Sequence, residues 1–371
     1  MTIQARSPIS FSRFCVQSLL GTSAWGLGTA VLIGVAMGLY FYALRDLLMG
    51  NRAPQETAVA GLIPADALYY MSMAAAYSLQ ELLEMFRSNI WGPIIFVKLM
   101  GSNADLICGV NFMIFGLAVA GLAKHADVRI GKFVFLLLLN PLVLLNLLTP
   151  NKEILSIFSM LFLIVYVCSK NQRYALMALA CALFGKLEIF VLAATFLAVY
   201  RFPARFRSIL VVVAIIVASL FYSFIGDAVR IAALSSGAPP TSIGVVHLLH
   251  ELGSRYGLFV VIAVPRLLLV LMEGPINLLR FDAVDIYLLV PMIVFSLLFS
   301  VFFLSAAINS RFRLADDVFF LLVMILFAVV LVPFIHQRYL LPAYPLVLFL
   351  ALRKLPQAHA SARIGPSTLM C

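Results

Sequence analysis

Apolar residues in this chain fall into long runs separated by short polar breaks, the pattern of helices that each look for about 20 apolar residues to cross a bilayer. The first such run covers about 24–46. It is too long for the core of a signal peptide and leads to no small-residue cleavage site before a polar domain. Arg6 and Arg13 precede it without an acidic residue, so it predicts a first span with the N-terminus in the cytoplasm. The stretch 49–89 carries Arg52 and Arg87 against Glu56, Asp66, Glu81 and Glu84. A loop poor in Lys and Arg belongs outside, and within it 66–88 reads as an amphipathic helix on the membrane surface. Ile90–Met100, with Trp91, Pro93 and Lys98, is too short to cross and reads as interfacial or re-entrant.

Further on, 104–123 runs inward to Lys124, Arg129 and Lys132, and 132–149 returns to a turn, Thr149-Pro150-Asn151-Lys152-Glu153. The run 154–168 goes inward to Lys170 and Arg173. Two short pieces, 174–185 and 189–200, form a hairpin with Lys186 and Glu188 at its outer tip, ending at Arg201, Arg205 and Arg207. Residues 208–226 cross outward to a second long outer loop, 227–256. The short run 257–272 contains Pro265 and Arg266 and reads as re-entrant, because only then do Arg311, Arg313, Arg353, Lys354 and Arg363 all fall inside. Spans at 286–308, 318–335 and 340–352 and a cytoplasmic tail, 356–371, follow. This is an all-α polytopic membrane protein of about ten spans in one membrane-embedded domain, 1–371, with both termini cytoplasmic. No alternation suggests barrel strands, and no internal repeat is visible.

Composition agrees: the 371 residues are 64% hydrophobic and 11% charged, with a mean hydropathy of +1.08. That excludes a soluble enzyme and a disordered protein. The net charge of +10 fits cytoplasmic loops rather than nucleic acid. The cysteines Cys15, Cys108, Cys168, Cys181 and Cys371 have no metal spacing and form no disulfide framework. His247 and His250, three apart, lack a third ligand at helical spacing other than Glu251, and no metal site is read there.

Ionisable groups at membrane depth cost about 2.5–3.5 kcal/mol each on insertion scales, so their placement is informative. Asp66, Lys152, Glu153, Lys186, Glu188, His336 and Arg338 all fall at outer helix ends or in outer loops. The plain alternative is that such cations snorkel to headgroups and that Lys152–Glu153 and Lys186–Glu188 are local pairs. The functional reading is a polar cavity open to the outer leaflet. In it lysines face a phosphate as point charges and Arg338 offers a bidentate fork. Asp66 is either a first-turn Asp or a general base. Asp227, Asp282 and Asp285 are rival outer carboxylates, whereas Asp316-Asp317 is expected on the cytoplasmic side.

Asp66 before Tyr69-Tyr70, the hairpin of short spans, the turn Pro150-Asn151-Lys152-Glu153 and the stretch Arg338-Tyr339-Leu340-Leu341-Pro342-Ala343-Tyr344-Pro345 together resemble the GT-C membrane glycosyltransferases. That family includes the protein mannosyltransferases and the lipid A aminoarabinose transferase. The resemblance implies a polyprenyl-phosphate-linked sugar donor and a glycan, lipid or protein acceptor. It implies Asp66 as catalytic base and Arg338 as donor-phosphate ligand, with Lys152 and Lys186 as second phosphate contacts; Glu153, Glu188, His336 and Tyr339, next to these in sequence, are read as further substrate contacts. No cofactor is required by it, and a divalent metal is left open. The expected setting is a bacterial inner membrane, in cell-envelope glycan synthesis, in contact with other polysaccharide-synthesis proteins. Two features depart from the family: Asp66 is followed by Ala67 rather than a second acid, and no soluble C-terminal domain follows the last span. The rival readings are a polymerase of lipid-linked repeats using Arg230 and Arg255, a lipid-sugar flippase, and a structural subunit.

Overall fold

The computed structural model describes residues 24–51, 65–84, 91–235, 259–273, 275–276, 286–309, 311–331 and 337–353. Among these the chain is helical, with one isolated bridge between Val128 and Arg353 and no strand. The helices in order are α1 (Ala24–Leu48), α2 (Ala65–Ala76), α3 (Leu79–Glu84), α4 (Trp91–Leu99), α5 (Ala104–His125), α6 (Ile130–Leu138), α7 (Pro141–Leu148) and α8 (Lys152–Ser169). They continue as α9 (Gln172–Gly185), α10 (Leu187–Val199), α11 (Ala204–Ser235), α12 (Phe259–Leu271), α13 (Ile286–Ile308), α14 (Asp317–Leu331), a 3₁₀ segment Gln337–Ala343, and α15 (Tyr344–Leu352).

Four stretches, α1, α5, α8 and Leu289–Ile308 of α13, are long and apolar enough to cross a membrane; α6 and α7 together make a fifth if a bent pair counts as one. That pair bends by 81°. Its cause is local. Asn140 precedes Pro141, which disfavours helical backbone at 140, and the Asn140 side chain caps the new helix by accepting from the Leu142 amide at 3.0 Å. The expected single crossing of 132–149 is therefore two short helices. The carbonyl of Leu147 at the end of α7 is met by buried Asn111 Nδ2 of α5 at 3.1 Å, which satisfies an end group that has no partner within its own helix.

α8 is the axis of the molecule. Every residue from Glu153 to Tyr166 is buried. A helix apolar on all sides is enclosed by protein or faces lipid, and here α5, α9, α15 and the 3₁₀ segment pack around it. Asn151 starts it, accepting from the Glu153 amide at 3.1 Å. Lys170, in the left-handed conformation at φ 57°, ends it.

The segment expected to lie on the membrane surface, 66–88, is instead two helices broken at Tyr77-Ser78, with 85–88 outside the described residues. Ser78 and Glu81 form a reciprocal cap, Ser78 N–H to Glu81 Oε2 at 2.6 Å and Glu81 N–H to Ser78 Oγ at 3.3 Å. These bonds start α3 and hold the Glu81 carboxyl below the usual carboxylate range. α2 is amphipathic: Ala67, Tyr70, Met71 and Ala74, spaced as one helix face, are buried against the body, while Tyr69, Ser72, Ala75 and Ala76 are exposed. The piece expected to be interfacial or re-entrant is the short helix α4, with Gly92–Val97 buried against the body. Gly92 permits this, because a methyl group there would run into the Leu183 carbonyl of α9. Lys98 at the far end of α4 donates to the Ala74 carbonyl at 2.8 Å and so steadies α2.

α11 continues to Ser235, past the expected loop start at 227. The rest of that loop from 236, His336 and the tail 356–371 lie outside the described residues.

Candidate functional site

Six of the residues singled out in the sequence, Asp66, Lys152, Glu153, Lys186, Arg338 and Tyr339, meet at the N-terminal end of α8. Asp66 sits in the first turn of α2. Its Oδ2 lies 3.2 Å from Lys152 Nζ and 3.2 Å from Arg338 Nη1. Lys152 is the first residue of α8 and Arg338 the second of the 3₁₀ segment, so one carboxylate oxygen joins three segments far apart in sequence. Beside this group Lys186 Nζ lies 2.7 Å from Glu153 Oε2. Lys186 also sits over the Tyr339 ring at 4.9 Å, and the Arg338 guanidinium is 5.7 Å from the same ring, within cation–π range. Lys152 is 5.8 Å from the Tyr70 ring.

The two ion groups differ in kind. Lys186 and Glu153 are enclosed, with side chains 9% and 3% exposed, and their contact is as short as a charge-assisted bond becomes. A charge at that depth persists only when paired. The Asp66 group is open: Asp66 is 30% and Arg338 43% exposed, with Lys152 at 15%. Its two 3.2 Å contacts are longer than the 2.7–2.9 Å typical of such bonds.

Position follows from the local fold. Asn151 caps α8 so that Lys152 and Glu153 enter as its first turn rather than as a turn between helices. Lys186 follows Gly185 at the junction of α9 and α10. Arg338 is held by its neighbour. The Gln337 side chain is buried and donates to the Leu271 carbonyl at 2.9 Å and to Ser296 Oγ at 2.5 Å. The Gln337 amide donates to Glu273 Oε2 at 2.6 Å. After it, the Tyr344 hydroxyl donates to the Leu136 carbonyl at 2.8 Å.

Lys152 pairs with Asp66 and Lys186 with Glu153, so the plain alternative of purely local pairs does not describe the group. In a first turn, consecutive residues point about 100° apart, so adjacency does not make a contact. Glu188 lies in the first turn of α10, within electrostatic reach of Tyr339. His336 lies outside the described residues. Among the described residues no cluster of His, Cys, Asp and Glu could hold a metal.

Sequence reading overlooked Tyr70 and Gln337. Tyr70 is fully buried beside Lys152, and its hydroxyl has no hydrogen-bond partner among the described residues. The pattern that could have flagged it is its place on the buried face of α2, one turn from Asp66. Gln337 carried a signal of its own, an amide between apolar runs, which must find partners when buried.

A cluster of this composition can bind an anion through Arg338 and Lys152 and can accept a proton at Asp66. No protein-family model, curated protein or solved structure matches the chain.

Proposed function

We propose that the protein is a membrane glycosyltransferase of the GT-C type that moves a sugar from a polyprenyl-phosphate donor to an acceptor hydroxyl. The observation that carries this reading is the meeting of a carboxylate from α2 with cations from α8 and the 3₁₀ segment at one end of the buried helix α8. Residues that a transfer reaction needs, and that lie in three remote stretches of sequence, share one place.

In the proposed reaction the acceptor oxygen attacks the anomeric carbon. The bond from that carbon to the phosphate oxygen breaks, and the lipid phosphate leaves with the electron pair. Arg338 and Lys152 stabilise the charge growing on it. Asp66 takes the acceptor proton. Lys186, Glu153, Tyr339 and Glu188 shape the surrounding wall.

The wider setting of about ten spans in an inner membrane, with both termini cytoplasmic, belongs to the same proposal. It is supported by a second ion group at the other end of α8. There Lys170 and Arg207 pair with Asp317 at 3.1 and 2.7 Å, and Arg353 pairs with Asp316. These are residues that the distribution of Lys and Arg assigns to the cytoplasmic side. The reactive end then faces outward, where cell-envelope glycans, lipids or proteins would be the acceptors and other polysaccharide-synthesis proteins the partners.

The test is sugar transfer by the purified protein in bilayers, with a polyprenyl-phosphate-linked sugar as donor. Transfer that needs Arg338 and Asp66 supports the proposal. Equal transfer by wild type, Arg338→Ala and Asp66→Asn, with equal folded protein, ends it.

A further inference from the structure

The geometry around Asp66 points to an exchange: we propose that the Asp66 carboxylate is the resident occupant of the lipid-phosphate site and that the incoming phosphate displaces it. This rests on the glycosyltransferase reading above and adds how the site is held before the donor binds and how it is opened.

Both cations offered to a phosphate are already engaged, and by the same atom, Asp66 Oδ2. A phosphate oxygen placed against Lys152 Nζ and Arg338 Nη1 would need the position that this carboxylate oxygen holds. The two anions would also repel. Carboxylate and phosphate are therefore alternatives at one site rather than neighbours in it.

The contacts are of the kind that can be given up. At 3.2 Å each they are long for charged pairs, and the more exposed of the two, Arg338–Asp66, is of the kind that contributes little to stability. Arg338 uses one guanidinium nitrogen on Asp66, although its planar fork can bind two oxygens of a phosphate at once. The adjacent Lys186–Glu153 pair, at 2.7 Å and enclosed, would stay in place as the fixed wall. Displacement then does two things in one movement. It fills the phosphate site, and it turns the Asp66 carboxylate away from its cations and toward the acceptor. Pairing both cations with Asp66 also avoids leaving two unpartnered charges at the edge of an apolar body.

The two roles of Asp66 predict opposite effects on affinity and rate. Asp66→Asn should bind a lipid phosphate about 3- to 10-fold more tightly, since the apparent affinity no longer carries the cost of displacing an internal occupant. The same variant should lose turnover, so the donor KM falls together with kcat. A base that does not occupy the site would lose kcat with KM unchanged. A carboxylate that merely positions Arg338 and Lys152 would give weaker binding on removal.

The experiment is titration of the purified full chain in detergent with farnesyl phosphate, with farnesol as the uncharged control and inorganic phosphate in parallel, for wild type, Asp66→Asn, Asp66→Ala and Arg338→Ala. We expect tighter farnesyl phosphate binding by both Asp66 variants, loss of binding by Arg338→Ala, and no response to farnesol. Unfolding curves without ligand verify that each variant is folded, and the second Asp66 variant stands in if the first is not. Unchanged or weaker binding by the folded Asp66 variants, with wild type binding normally, overturns the exchange and leaves the phosphate site standing. Absence of farnesyl phosphate binding in wild type and in both Asp66 variants overturns the exchange and the donor site together. Tightening confined to inorganic phosphate overturns the lipid assignment.

Discussion

The two ends of α8 carry ion groups built from the same residue types and held in opposite ways. The helix rises about 25 Å between them, close to the thickness of a bilayer core. At the C-terminal end the charges are tied to backbone. Asp316 caps α14, accepting from the amides of Val318 and Phe319 at 3.0 Å each. Arg207 donates to the Phe202 carbonyl at 2.9 Å and to the Tyr200 carbonyl, while Arg311 donates to the Arg353 carbonyl at 2.9 Å. An ion with backbone partners is fixed with the fold, and this group stitches α8, α11, α14 and α15 together. At the N-terminal end Asp66, Lys152 and Arg338 meet side chain to side chain. Groups held that way can change partners without unfolding anything, which is what a ligand site requires.

The comparison breaks first on activity. Arg338→Ala should nearly abolish sugar transfer, and Asp66→Asn should reduce kcat by about 100-fold or more, the usual scale of general-base catalysis. Both should leave thermal unfolding close to wild type. Arg338→Lys keeps the charge and loses the fork, so a silent Arg338→Lys would make Arg338 a headgroup anchor instead. Transfer assays normalised to folded protein decide this.

The Lys186–Glu153 pair is the sharpest structural test at the same end. Lys186→Met strands a buried carboxylate and should destabilise by roughly 3–5 kcal/mol, with Lys186→Met/Glu153→Leu recovering most of that. Denaturation in detergent measures both, and a single variant as stable as wild type would show the pair to be solvated.

At the opposite end Asp317→Asn should cost about 1.5–3 kcal/mol, the range for hydrogen bonds to charged groups, with transfer per folded molecule unchanged. A selective loss of transfer would mean that the two ends are coupled. Lys170→Ala should be the mildest change, under about 1 kcal/mol, because that side chain is 56% exposed.

Much of the site was legible as residues and little of it as contacts. Asp66, Lys152, Glu153, Lys186 and Arg338 stand out in sequence because charges next to apolar runs are expensive. Which of them touch could not be seen. The spacing of Lys152 beside Glu153 and of Lys186 near Glu188 leaves local pairs as the plain alternative. Packing of α2 and α9–α10 against the start of α8 creates the cross-pairs instead. How closely α2 and α4 approach the body is likewise a matter of packing, with Ala67 and Gly92 allowing the close approach.

By itself the sequence determined the helical class, the apolar runs and the charges that need an explanation, because these follow from the cost of leaving backbone groups unpaired and of burying charged ones. Only the tertiary structure decided which carboxylate meets which cation, and that Lys186–Glu153 is sealed while Asp66 stays half open. Ion pairing depends on a few ångströms between remote segments, and that distance is set by how whole helices pack, which no spacing along one chain contains.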